Sequence, residues 1–258
     1  MIVKQKHLII LACFFLVCSS FILLQKEKPT IYLIGDSTVR NNNKEQWGWG
    51  TLLPEFFDSG KIGISNQAMA GRSTRTFIKE GRWNTVLSTL KKGDYVMMQF
   101  GHNEGSRPDT TRGGYRGVLK GNSEDTVQLT WPDGTVETVH TYGWYLRKFV
   151  REAKEKGATP IVLSMIPRNE FRDGKIVRAD KDYGKWAKEV ADAEGVQFID
   201  LNTIAADKYD AFGPDKVKNY FPGDHTHTNQ EGARVNAASV VDGIKANTKN
   251  PLNKYLAK

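Results

Sequence analysis

Thiols are scarce in this chain. Its 258 residues hold two cysteines, Cys13 and Cys18, and both fall in one uncharged run near the N-terminus. A domain that begins after that run carries no thiol, which excludes disulfide cross-links and cysteine catalysis for it. Histidine is also rare, with five in the chain, so a reaction that needs an imidazole has few places to find one. The helical His-Glu-x-x-His zinc signature is missing. No internal repeat and no low-complexity tract interrupts the sequence.

The run that holds the cysteines, 8–24, is apolar apart from Ser19 and Ser20 and follows Lys4 and Lys6. A cationic start before an apolar stretch is an export signal. Its length sits at the lower edge of what crosses a bilayer, so cleavage near Ser19 or Ser20 is expected and retention as an anchor is the alternative. Lipidation fits less well, because Cys18 follows Val17 rather than a small residue and Cys13 lies early in the run. The chain divides into 1–24 as signal peptide or N-terminal anchor, 25–29 as a polar linker and 30–258 as one large domain. The expected destination is the periplasm, the medium or the cell surface. Membrane contact is expected only through the N-terminal segment, if it stays uncleaved. The formal net charge of +8 loses only Lys4 and Lys6 on cleavage, and a basic surface favours anionic partners.

Short apolar runs rich in β-formers recur at 30–34, 62–65, 95–100, 160–165 and 196–199. Helical patterns separate them at 49–57, 83–91, 142–156, 180–194 and 230–247, the last opened by Asn229 as N-cap. Such alternation implies an α/β fold of parallel strands with right-handed crossovers and helices on both faces. One segment, 126–139, instead alternates polar and apolar residues around Trp131-Pro132-Asp133-Gly134 and reads as a β-hairpin. It sits in a long connection, 104–141, and excursions of that length are commonly functional.

In an open parallel sheet, ligands bind beyond the carboxyl ends of the strands. The residues there share a theme: Asp36, Ser37 and Arg40; Asn66, Gly71, Arg72 and Arg75; Gly101, His102, Asn103 and Arg107; Arg168, Asn169 and Arg172. Gly35-Asp36-Ser37-Thr38 turns the first strand sharply toward an expected helix, placing the Ser37 hydroxyl at a helix N-terminus that favours negative charge. Alone, the tetrapeptide reads equally as a turn and cap. A serine nucleophile needs an imidazole base and a carboxylate behind it. In Asp224-His225-Thr226-His227, a gap of three lets Asp224 fold back onto the ring of His227, so His227 is the better base. A metal held by His225, His227 and Asp224, or a plain polar loop, is the competing reading of that tetrapeptide. Gly71, through its backbone N–H, and Asn103, through its side-chain amide, can donate to an oxyanion.

These blocks carry a resemblance. Gly35-Asp36-Ser37, Gly71, Gly101-His102-Asn103 and Asp224-x-x-His227 stand in the order and spacing that define SGNH, or GDSL-like, hydrolases, across nearly the whole mature domain. Within that superfamily the chain is similar to rhamnogalacturonan acetylesterases, through IYLIGDSTV at 31–39, FGHN at 100–103 and DHTHTN at 224–229. Glu104 stands where those enzymes often carry Asp. The resemblance implies a three-layer, doubly wound, flavodoxin-like five-stranded parallel sheet with the hairpin as an insertion. It implies Ser37, Asp224 and His227 as the triad, and the N–H groups of Ser37 and Gly71 with the Asn103 amide as oxyanion hole. It also implies that no metal or organic cofactor is needed.

The rim sets the expected substrate. It carries Arg40, Arg72, Arg75, Arg107, Arg112, Arg116, Arg168 and Arg172 where a lipase would carry an apolar lid. An acetylated acidic polysaccharide such as a pectin backbone fits this cationic rim, with Arg72, Arg75, Arg168 and Trp131 as candidate contacts. Trp131, at the hairpin tip, is the tryptophan expected to be exposed. Nucleic acid is not among the expected partners, and the oligomeric state stays open. The rivals are an SGNH esterase or lipase on other acyl esters, a non-catalytic carbohydrate-binding module and a metal hydrolase.

Overall fold

Each of the five apolar runs becomes a strand, and the segments between them supply the layers. The computed structural model describes residues 27–41 and 45–258, so the expected export segment 1–24 and the start of the expected linker lie outside the described residues. Among those described, no helix is long and apolar enough to cross a membrane. In chain order the elements are β1 (Thr30–Gly35), α1 (Trp49–Leu52), β2 (Gly63–Asn66), α2 (Thr74–Lys79), α3 (Arg82–Thr89) and β3 (Tyr95–Gln99). There follow β4 (Thr126–Thr130), β5 (Val136–His140), α4 (Tyr142–Glu155), β6 (Thr159–Leu163), β7 (Phe171–Arg172) and β8 (Lys175–Ile176). The chain continues with α5 (Tyr183–Glu194), β9 (Gln197–Ile199), α6 (Leu201–Phe212), α7 (Pro214–Lys218) and α8 (Gln230–Ala246).

The central sheet has five strands in the order β2-β1-β3-β6-β9, all pairs parallel. Reading only those strands, the second, first, third, fourth and fifth lie side by side, which is the flavodoxin-like order. β3 is central and buried at every position, as a strand covered on both faces must be. Side chains alternate along β1, so Ile31 and Leu33 enter one apolar layer with Trp49 of α1 and Ala237, Val240 and Ile244 of α8. Ile34 enters the other with Trp83 of α3, Phe149 of α4 and Ala187 of α5. In that second layer Phe149 meets Trp83 edge to face at 5.0 Å and stacks on Phe100 at 5.7 Å.

The expected helix at 49–57 is four residues of α-helix followed by a 3-10 turn, Leu53–Phe56. Pro54 lacks the N–H that would continue the α ladder. Three helices were not expected. α2 is opened by Ser73 and Thr76, which satisfy each other's backbone N–H groups in a capping box. α6 is capped by Asp200, directly after β9, and α7 begins on Pro214. The expected hairpin forms as β4 and β5, paired antiparallel from Thr126↔His140 to Thr130↔Val136. Asp133 accepts from the backbone N–H and hydroxyl of Thr135 and closes the turn.

Arg75 explains how the hairpin is held, and it corrects an expectation. Rather than lying on the substrate rim, its side chain is 1% exposed and forms a two-pronged ion pair with Glu137 of β5, both contacts at 2.8 Å. Its remaining N–H groups donate to the carbonyls of Asp109, Gly114 and Gly117. A guanidinium has five donors and no acceptor, so a buried one must face a carboxylate and carbonyls. One residue therefore ties α2 to the loop at 109–117 and to the hairpin. Trp131 belongs to the same cluster and is half-buried: its indole N–H donates to Glu137 at 2.7 Å and Lys79 covers its ring at 3.5 Å. Burial acts to raise the Glu137 carboxyl, but hydrogen bonds from Arg75, Lys79 and Trp131 outweigh it and hold the group at about 2.

Glu137→Ala leaves a buried guanidinium without its counter-charge, a loss of about 3–5 kcal/mol. Urea denaturation of the two proteins at neutral pH measures it. A loss near zero would reduce the contact to an ordinary surface pair.

Candidate active site

Gly35 ends β1, and only glycine fits there: a Cβ would stand 2.5 Å from the Gln99 carbonyl oxygen and 2.6 Å from a Val39 methyl. The chain then reverses over Asp36, Ser37 and Thr38. The Asp36 carbonyl accepts from the N–H groups of both Val39 and Arg40. The expected helix does not continue from this turn. The Thr38 and Val39 carbonyls, which a helix would use, instead accept from Trp49 and Gly50 at 2.9 and 3.0 Å. Ser37 thus sits in a single hydrogen-bonded turn and not at a helix N-terminus.

The Asp36 side chain points inward and is wholly buried. One carboxyl oxygen accepts from the backbone N–H and hydroxyl of Thr38, at 2.8 and 2.7 Å. Burial raises its pKa to about 6, although the Thr38 hydrogen bonds pull the other way.

Across the rim, the loop before α8 carries the expected base, His227. The Ser37 hydroxyl donates to Nε2 of His227 at 2.8 Å, and Nδ1 of His227 lies 2.7 Å from Asp224 Oδ2. Since an ionised carboxylate only accepts, Nδ1 carries the ring proton and leaves the Nε2 lone pair facing the serine. The second carboxyl oxygen of Asp224 accepts from the backbone N–H groups of Thr226 and His227, at 2.7 and 2.8 Å. Partial burial works against these bonds, yet they and the His227 side chain hold Asp224 at about 2. The loop is pinned where it enters α8. Trp47 and Thr228 form an isolated antiparallel bridge, and the Asn229 side chain caps the first turn of α8. Ahead of these contacts, the Asn169 backbone N–H donates to the His225 carbonyl at 2.7 Å.

His225 turns away from this relay. Its Nε2 lies 2.8 Å from Arg168 and its Nδ1 3.4 Å from Glu170. Arg168 also donates to the Thr226 hydroxyl at 2.7 Å, which places its half-buried guanidinium against the His227 loop. Among the described residues, no three His, Cys, Asp or Glu side chains converge as metal ligands do. Of the remaining histidines, His140 stacks on Trp144 at 3.6 Å. Burial lowers His102 to about 3 and keeps it neutral.

The expected oxyanion donors come from two further loops. Gln67 and Met69 donate to the carbonyls of Leu33 and Gly35, which carries the chain after β2 alongside β1 to the Ser37 turn. Gly71 follows with φ 77°, a left-handed conformation that glycine tolerates best. Asn103 reaches over from the end of β3, and its Nδ2 donates to the Arg72 carbonyl at 3.0 Å. The structure therefore brings Asn103 and the Gly71 loop together. Arg72 itself is partly neutralised by Glu80 at 2.9 Å.

Two residues acquire roles that the sequence reading did not assign. Glu104 is fully buried and clamps two blocks together: one carboxyl oxygen accepts from the Thr74 N–H at 2.8 Å, the other from the Asn103 N–H at 2.9 Å. Burial, reinforced by the nearby Asp36 charge, raises it to about 8. Arg116 donates to Asn103 Oδ1 at 2.9 Å. The signal for Glu104 was its place next to Asn103; nothing in the sequence singles out Arg116 among the rim arginines.

Residues 33–235 match a family model described as the GDSL-like Lipase/Acylhydrolase family. A rhamnogalacturonan acetylesterase of Emericella nidulans is 35% identical over 83% of this chain and 84% of its own length. A Bacillus subtilis protein described as probable rhamnogalacturonan acetylesterase YesY is 32% identical, over 83% of this chain and 92% of its own length. The solved structure of the Bacillus subtilis protein YxiM aligns at a TM-score of 0.68 and 28% identity over 85% of this chain, which spans about half, 56%, of that protein.

The Asp224 contacts set a pH dependence. Its pKa falls from the ordinary 3.8 to about 2 on folding, so the unfolded chain binds the proton first and the carboxylate adds stability above pH 3.8. That contribution is lost as pH falls toward 2. The difference in Tm between wild type and Asp224→Asn is therefore expected to be constant from pH 7 to pH 5 and to close below pH 4. A difference that does not change with pH would contradict the assignment.

Proposed function

This chain belongs to the GDSL-like lipase/acylhydrolase family, and from that premise we propose that it removes acetyl groups from an acidic plant polysaccharide of the rhamnogalacturonan type, through an acetyl-enzyme intermediate. The observation that carries this reading is the relay of Ser37, His227 and Asp224 at 2.8 and 2.7 Å. It is a carboxylic ester hydrolase acting on carbohydrate acetyl groups, as its acetylesterase relatives are named.

In the reaction, Ser37 Oγ attacks the acetyl carbonyl while His227 Nε2 takes the hydroxyl proton. Asp224 holds the tautomer that leaves Nε2 free and stabilises the imidazolium that forms. The carbonyl oxygen becomes an oxyanion, which the N–H groups of Ser37 and Gly71 and the free N–H of the Asn103 amide receive. His227 then passes its proton to the sugar oxygen, the C–O bond breaks, and Ser37 is left acetylated. Water, deprotonated by His227, attacks the acetyl-serine, and acetate leaves as the proton returns to Ser37.

Two features support a polymeric, anionic substrate over a lipid. Among the described residues the exposed large apolar side chains are Val136, on the hairpin, and Phe212, at the end of α6, whereas a lipid site needs a contiguous apolar patch. Arg168 donates to His225, Thr226 and the His102 carbonyl, and among the described residues no carboxylate lies within ion-pair distance of it. Its guanidinium beside the relay is thus suited to a uronate carboxylate. Export through 1–24 belongs to the same reading, because a polysaccharide of that size stays outside the cell.

Acetate release from acetylated rhamnogalacturonan, compared with acetylated xylan and with aryl esters of longer acyl chains, tests the reading. Ser37→Ala is expected to lower turnover by about 10⁶-fold. Arg168→Met is expected to raise KM for the acidic polymer and leave that for a neutral aryl acetate unchanged. Activity that grows with acyl length, or that survives in Ser37→Ala, would contradict it.

A further inference from the structure

The oxyanion hole depends on which way one amide faces. Asn103 has a carbonyl oxygen and an NH2 group of nearly equal size, and a half-turn of the amide would exchange them. Only one orientation offers an N–H to substrate. We propose that Arg116 is the positioning residue that fixes this orientation and charges the oxyanion hole through Asn103; the inference rests on the esterase reading above.

The lock has two sides. Arg116 Nη1 donates to Asn103 Oδ1 at 2.9 Å, and Asn103 Nδ2 donates to the Arg72 carbonyl at 3.0 Å. A guanidinium cannot accept and a peptide carbonyl cannot donate, so the reversed amide would set donor against donor and acceptor against acceptor. One N–H of the amide is engaged by Arg72. The other is left for an oxyanion.

Charge adds to geometry. Arg72 is paired with Glu80 and Arg75 with Glu137. Arg116 is half-buried, makes its hydrogen bond to an uncharged amide and lies near a tyrosine ring, 5.9 Å from the centroid of Tyr115. Its Nη1 also stands 3.8 Å from the place a Cβ on Gly71 would take, so the cation borders both expected donor loops. A charged donor on the amide oxygen draws density from the amide and strengthens its N–H groups toward a developing anion.

The scaffold explains the long connection. Arg116 lies between Gly114 and Gly117, whose carbonyls Arg75 holds at 3.2 and 3.1 Å, and Gly117 N–H closes back on the Gly114 carbonyl at 2.9 Å. Arg75 is in turn anchored by Glu137 of the hairpin. The excursion and hairpin thereby build a platform for one guanidinium.

The test is a double-mutant cycle with kcat and KM on p-nitrophenyl acetate, which is neutral, and on an acetylated acidic oligosaccharide. Arg116→Met is expected to lower kcat on both esters by about 10- to 100-fold, short of losing a whole oxyanion donor, with KM within twofold. Asn103→Ala combined with Arg116→Met should be no slower than Asn103→Ala alone, because the arginine acts through the amide. Arg116→Lys, which keeps the charge and one donor, should recover part of the loss, and it replaces the methionine variant if that protein melts early. A rise in KM confined to the acidic substrate would make Arg116 a reader of substrate carboxylate and overturn the proposal. So would losses that multiply in the double variant, or a wild-type kcat in Arg116→Met. If wild type shows no Ser37-dependent hydrolysis, the esterase reading fails and takes this inference with it; if it does, those outcomes overturn this inference alone.

Discussion

A hydrogen bond between residues 190 positions apart, Ser37 Oγ to His227 Nε2, is the contact on which the site depends. Neither partner makes this contact alone: the serine turn supplies a weakly acidic hydroxyl and the last loop an imidazole nitrogen that can accept from it. What brings them together is the order of the sheet. β1 lies inside it, flanked by β2 and β3, so the turn after β1 has the Gly71 loop on one side and Asn103 on the other. The last loop is drawn onto the same edge by its bridge to Trp47 and by the packing of α8 beneath it. A parallel sheet puts all its strand ends on one side, which makes such convergence from distant segments a consequence of topology.

The polar groups beneath this edge are arranged to limit movement. Asp36 closes the serine turn, Glu104 joins the N-terminus of α2 to the backbone of Asn103, and Arg75 joins α2 to the hairpin. All three are ionisable side chains in buried positions, where an unmet hydrogen bond is costly and a met one fixes direction. Two members of the relay above them show the opposite balance. Asp224 and His227 keep partial exposure, with side chains 42% and 26% accessible, so solvent reaches the imidazole. Buried polar groups lie beneath the relay, and partly accessible ones within it.

Much of this was legible from residue order. Five apolar runs separated by helical patterns identified the strands, because a buried parallel strand has no polar face to disguise it. The hairpin declared itself through alternation and its Pro-Asp-Gly turn. The relay followed from a serine after a strand and an Asp-x-x-His before a helix, and the four ordered blocks fixed the family. Part of what residue order does not report depends on long-range contacts. α2 is short and its sequence, Thr-Arg-Thr-Phe-Ile-Lys, looks like surface because the buried Arg75 counts as polar. Its partner, Glu137, lies 62 residues away, and no local pattern reports that pairing. For the same reason Arg75 looks in sequence like a rim cation and Trp131 like an exposed tip, whereas both meet Glu137. The absent helix after Ser37 is also a long-range effect, since the competing N–H donors come from Trp49 and Gly50.

The most direct check is to catch the covalent intermediate itself. Rapid acid quenching of turnover on an activated acetyl ester, followed by peptide mass spectrometry, should find one acetyl group on the peptide that contains Ser37. That label should disappear when His227 is replaced by alanine. Acetate production at full rate with no acetylated peptide, or with the label on another residue, would contradict a reaction carried by Ser37.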